Sequence, residues 1–133
     1  MTASTAADFF ACNTRRIVPI AGLEQWGLTA AARSITEKER ADYEASWLDG
    51  KKQSLDLDRL KLAKVKLIIL VVCDETGRQL FQRGDEPKLL KLDSALTSLL
   101  YNASRKHCGF DDGDIERLVG NSEPVPADAS PSA

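Results

Sequence analysis

The chain has 133 residues, 43% hydrophobic and 29% charged, with a net charge of -2 and a pI of about 5.4. That make-up fits one soluble globular domain; it excludes a basic nucleic-acid footprint over the whole chain, and no Lys/Arg cluster beside an amphipathic face argues for a membrane surface. Aromatic residues make up only 6%, so the core must be mostly aliphatic.

In chain order, residues 1–14 read as a flexible N-terminus; Phe9 and Phe10 either anchor it to the body or to a partner or, as the simpler reading, pack locally. The segment MTASTAADFFACNTRR has no cationic start and no apolar run long enough for export. Arg15–Ile20 is β-prone, and Pro19 confines it to an edge strand. Gly22–Gly27 connects it to Leu28–Ile35, which returns as a second strand of a small hairpin.

Thr36-Glu37-Lys38-Glu39 is a capping box: the Thr36 hydroxyl accepts from the Glu39 N–H, and the Glu39 carboxylate from the Thr36 N–H. It opens a helix from Glu37 to about Leu48, with Ala41, Tyr43, Trp47 and Leu48 partly buried and Asp49-Gly50 as the stop. Ser54 can cap the next helix.

Leu55–Phe81 is the stretch on which the rest depends. Leu67–Cys73 is apolar without interruption. At helical spacing Leu60, Ala63, Leu67, Leu70 and Val71 share a face, while Ile69 and Val72 fill the other side. The helix therefore enters polar on one side and ends buried all round. A strand competes, because Val65, Ile68, Ile69, Val71 and Val72 are β-branched and Asp74–Gly77 can close a hairpin into Arg78–Phe81. Length favours a helix from Leu55 to Cys73, ended by the Asp74–Gly77 turn. The run is too short and too charged at its start to span a bilayer.

Gln82–Asp85 reads as a turn, with Asp85 capping a helix that carries Pro87 in its first turn. Apolar residues then recur at Leu89, Leu92, Leu96, Leu99, Leu100 and Ala103, the strongest amphipathic pattern in the chain. Asp93-Ser94 marks a kink or a second cap, and Gly109 ends the helix after His107-Cys108. Ile115–Val119 forms a short last helix. Residues 122–133 are Pro/Ser/Ala-rich and read as a disordered tail. The expected fold is mainly α, α+β at most: a single compact helical domain over residues 15–121, with room for a small N-terminal β-hairpin.

No set of residues marks a catalytic, cofactor or metal site. Cys12, Cys73 and Cys108 form no C-x-x-C pair and are odd in number, which suits a reducing, cytoplasmic compartment, and Cys73 reads as a buried thiol. His107-Cys108 beside Asp111 and Asp112 lacks a second His or paired Cys. Adjacent helical positions also point about 100° apart. His107 is more simply a surface cation at a helix C-terminus. Asp111-Asp112-Gly113-Asp114 with Glu116 has the wrong register for a calcium loop. Lys61, Lys64 and Lys66 share no single face and have no interleaved aromatic, so they read as solvated edges rather than a nucleic-acid stripe.

Four segments carry a resemblance: RRIVPIAGLEQWG (Arg15–Gly27), RSITEKERADYEAS (Arg33–Ser46), LIILVVCDETGRQLF (Leu67–Phe81) and CGFDDGDIERLVGN (Cys108–Asn121). Their order and spacing resemble the tail assembly chaperones of long-tailed, non-contractile phages and their prophages. Cys108 stands where such proteins often carry Asn, and Gly84 and Pro87 replace an acidic run. The resemblance implies a non-enzymatic protein of the host cytoplasm that needs no cofactor. It would keep the tape-measure protein soluble, promote assembly of tail-tube protein and bind neither nucleic acid nor membrane. It supplies no transferable partner-binding residues. It also implies a longer product made by a −1 frameshift, and Gly120-Asn121 can be encoded across a slippery G-GGA-AAC. Because Ile69 and Val72 lie opposite Leu67 and Val71, either the same chain covers both sides of the long helix or a second subunit does, so weak homo-oligomerisation is expected. The alternative is a phage or bacterial regulatory adaptor that binds one folded partner.

Overall fold

A computed structural model of the chain describes residues 3–12, 15–47, 57–110 and 115, without the side chains of Trp47 and residues 57–59. Among these, five α-helices and a small antiparallel sheet make a mainly α fold with some β: α1 (Ala6–Ala11), β1 (Ile17–Pro19), β2 (Ala31–Arg33), α2 (Glu37–Trp47), α3 (Leu57–Val71), β3 (Val72–Cys73), α4 (Glu86–Leu89) and α5 (Ser94–His107).

The central helix is where the apolar run placed it. Ala63, Val65, Leu67, Ile68 and Val71 are all buried, and in its second half α3 is covered on most sides, with Lys66 and Leu70 half-buried. It packs against α2, α4 and α5. Ile69 and Val72 are also buried, within the chain itself; no second subunit is needed to cover them. The expected helix end is corrected: α3 stops at Val71, and Val72–Cys73 form strand β3 against β2, with Ala31 opposite Cys73 and Ala32 opposite Val72. Both competing readings of the run are thus partly realised. The turn after β3 closes as a hairpin: the Asp74 N–H donates to the Arg78 carbonyl at 2.9 Å, and Cys73 bridges to Gln79. The Asp74 carboxylate gathers the Thr76 and Arg78 N–H groups and the Thr76 hydroxyl.

The N-terminal hairpin is present but shorter than the sequence suggests. Only Ala31–Arg33 of Leu28–Ile35 form strand β2. Strand order is β1-β2-β3, which leaves Pro19 on the edge, where its missing N–H costs no ladder bond. The Thr36–Glu39 capping box is made in both directions, at 3.1 and 2.9 Å. Tyr43 of α2 is buried and donates to the Ala63 carbonyl of α3 at 2.7 Å. Ala41 is exposed, contrary to expectation. Leu48, the Asp49-Gly50 stop and the Ser54 cap lie outside the described residues.

The amphipathic segment is two helices rather than one. Asp93 caps α5 by accepting from the Ala95 N–H at 2.9 Å. The chain turns through Leu90–Leu92 before it. Leu92, expected in the core, is therefore exposed, while Leu89, Leu96 and Leu100 are buried. Asp85 does not cap α4; its carboxylate accepts from the Gln82 N–H at 2.8 Å. Gly109, at φ +83°, ends α5 as anticipated, and the Phe110 N–H donates to the Arg105 carbonyl. Ile115 is helical and fully buried; the rest of the expected last helix lies outside the described residues.

A further helix was not anticipated. Thr5 and Asp8 form a capping box that starts α1. This helix buries none of its residues: Phe9 and Phe10 are 69% and 82% exposed, so they do not pack locally as expected.

Candidate functional site

His107 is half-buried at the C-terminus of α5 and is hydrogen-bonded there. Its Nε2 lies 3.0 Å from the Arg16 carbonyl, which can only accept, so this nitrogen carries the proton. The Arg16 guanidinium in turn donates to the His107 carbonyl at 3.0 Å. The pair ties the C-terminus of α5 to the start of β1. The hollow beside it, about 210 Å³, holds Arg16, Arg40, His107 and Cys108. Arg40 is already engaged, paired with Glu44 and stacked 4.1 Å from the centre of the Phe110 ring. Burial pushes the Cys108 thiol up to about 11, so it remains a thiol at neutral pH. Burial also raises the Cys73 thiol. Among the described residues no group of His, Cys, Asp and Glu could hold a metal ion; Asp111, Asp112 and Glu116 lie outside them.

A groove of about 650 Å³ runs between α2, the second half of α3 and the segment after the β3 hairpin. Ile69, Leu70 and Phe81 give it an apolar floor, and its rim mixes Lys66 and Arg83 with Asp42 and Glu86. Some of these charges serve the fold. Lys66 donates to the Ser46 carbonyl at 3.1 Å. Glu39, at one end, takes a two-pronged pair from Arg15 at 2.9 and 2.7 Å as well as the Thr36 N–H. Such a rim selects no single sign of charge.

The exposed large apolar side chains occur in two places that matter here: Phe9 and Phe10 on α1, and Leu90 and Leu92 at the break between α4 and α5. The second pair borders a cleft of about 220 Å³ against α3. Lys61 and Lys64 line that cleft, and Lys64 sits 5.1 Å from the centre of the Tyr101 ring. So Lys61, Lys64 and Lys66 do not act as one stripe: the first two face the cleft and the third faces the groove. One sign of the Leu90/Leu92 surface is present in the sequence, the Asp93-Ser94 cap inside an otherwise continuous stripe. No described helix is long and apolar enough to cross a membrane.

No family model matches the chain, and no curated protein does. Among solved structures, the tail assembly chaperone of bacteriophage HK97 is similar in fold, with a TM-score of 0.51 and 19% sequence identity over 76% of this chain and 96% of that one.

Proposed function

We propose that this chain is a non-catalytic phage tail assembly chaperone that keeps the tape-measure protein soluble and promotes assembly of tail-tube protein in the host cytoplasm. The observation that carries the reading is the fold shared with the HK97 tail assembly chaperone across nearly all of that protein. The order and spacing of the four sequence segments between Arg15 and Asn121 also support it. The task requires a folded body that offers apolar side chains to a partner, and Phe9, Phe10, Leu90 and Leu92 are such side chains. Weak self-association belongs to the same proposal and rests on these exposed residues, since Ile69 and Val72 of α3 are covered within the chain.

Co-expression with the tape-measure protein of the same phage or prophage tests the reading. The expected result is transfer of that protein from the insoluble to the soluble fraction, with the two chains co-purifying. A tape-measure protein that stays insoluble at equal expression, together with no capture of tube protein, would sink it. Light scattering over a concentration series tests self-association, which a strictly monomeric protein would remove.

A further inference from the structure

Among the described residues, every helix but α1 buries side chains in the body. A helix of six residues does not hold its form in water on propensity alone. The Thr5–Asp8 capping box satisfies two of its backbone N–H groups, and the remaining stabilisation has to come from packing. Phe9 and Phe10 are the side chains that packing would use. Adjacent helical positions point about 100° apart, so the two rings splay. Only a cleft with a wall on each side covers both. The groove between α2 and α3 has that form: its floor is Ile69, Leu70 and Phe81, α2 makes one wall, and the segment carrying Arg78 and Arg83 makes the other. Its volume of about 650 Å³ is in the range that takes a drug-sized apolar molecule, which is what two benzyl side chains amount to. Arg15 fixes where α1 leaves the body. Three positions after Cys12, the end cap of α1, it is clamped to Glu39, which lines the groove. The root of this N-terminal arm and one end of the groove therefore lie together.

We propose that Phe9 and Phe10 of one copy dock in the α2/α3 groove of a second copy, and that two copies exchange their arms reciprocally. The proposal deepens the self-association part of the reading above and rests on it. The structure selects a second copy over the chain's own groove: α1 starts beside that groove and still leaves both rings in solvent. Reciprocity follows from the position of the root. An approach that brings one arm to the other copy's groove brings the second arm, related by a two-fold axis, to the first groove. The area is sufficient. A phenylalanine buries about 150–250 Å². Four of them, with the groove surface they cover, come to roughly 1,000–1,500 Å², the lower part of the range for specific interfaces. That suits a weak, reversible dimer. The guanidinium groups of Arg78 and Arg83 on the rim favour an aromatic occupant, because a cationic plane is attracted to a phenyl face.

Sedimentation velocity of the full chain over a concentration series reads the association. The wild type should show a reversible monomer–dimer equilibrium. Phe9→Ser/Phe10→Ser should raise its dissociation constant at least about tenfold. The melting temperature should stay unchanged, because α1 buries none of its residues. A disulfide trap reads the geometry. Cys12 is exposed at the end of α1, and Gln82 lines the groove. Under mild oxidation of the Gln82→Cys variant, the introduced cysteine should bond to Cys12 of the other copy. The product is a covalent dimer whose linkage peptide mapping identifies, and adding Phe9→Ser/Phe10→Ser should cut its yield at least about tenfold. A double variant that dimerises like the wild type overturns the proposal and leaves self-association standing. A covalent dimer linked only from Cys12 to Cys12 also overturns it. The designed disulfide formed within one chain, with a monomeric wild type, places the arm in its own groove and rejects both the proposal and self-association. A monomeric chain that still brings the tape-measure protein into solution would keep the chaperone reading and reject this one.

Discussion

Arg33 of β2 donates through Nε to the main-chain carbonyl of Leu70, 3.0 Å away in the last turn of α3. Its Nη1 reaches the Gly77 carbonyl at 3.4 Å. One guanidinium thus meets a carbonyl at the end of the central helix and the turn that follows β3. Arg33→Met keeps much of the stem but removes both donors, and should cost about 1–3 kcal/mol in urea unfolding. Arg33→Lys should recover less than half of that, because a single ammonium cannot reproduce the planar fork.

Burial separates two leucines that the sequence places on one helical face. Leu67 is fully buried and Leu70 borders the groove, half-buried. Leu67→Ala should destabilise by about 2–5 kcal/mol and leave a cavity. Leu70→Ala should cost clearly less, because water can fill the space left at the groove. Equal losses in parallel urea melts would mean that the groove is closed in solution.

Acid should act through Glu39. Burial pushes its carboxyl up, but the hydrogen bonds from Arg15 and Thr36, with the charges of Arg15 and Arg33, outweigh burial and hold it below its ordinary 4.5. A depressed folded value means stability that is complete above the unfolded pKa and lost as pH falls through the folded one. Asp74 acts in the same sense, lowered first by the Thr76 hydroxyl and then by the Arg78 and Thr76 N–H groups. Glu39→Gln should be less stable than wild type by about 1 kcal/mol at neutral pH. The two melting temperatures should converge as the pH falls below about 4.5. Parallel pH-dependent melts that never converge would remove Glu39 from the acid response.

Residues 122–133 should be dispensable for folding. They lie outside the described residues, and their composition, SEPVPADASPSA, offers almost no apolar surface to bury. Deletion of Ser122–Ala133 should leave the melting temperature nearly unchanged. A large drop would show that the segment docks on the body.

The central helix was legible because its cause is local: an uninterrupted apolar run with no breaker. Its last two residues were not. Val72 and Cys73 continue the same run, and only pairing with Ala31 and Ala32 of β2, some 40 positions earlier, makes them a strand. Leu92 was misplaced for a related reason. Spacing put it on the buried stripe, but the Asp93 cap restarts the helix and resets the phase. The α1 helix was legible and missed, since Thr5 and Asp8 have capping-box spacing. The exposure of Leu90 and Leu92 had a sign in the Asp93-Ser94 cap, but the cleft beside them was not legible, because its walls come from α3 and α5, which only the tertiary fold brings together.

At Val71–Val72 the chain passes from helix to strand with no connecting residue between them. Most such junctions contain a loop that can absorb motion; this one has none. The end of α3 and strand β3 must therefore open together or not at all. Amides from Leu67 to Cys73 should exchange with solvent as one block, and turning α3 about its axis would carry β3, and the strands paired to it, along with it.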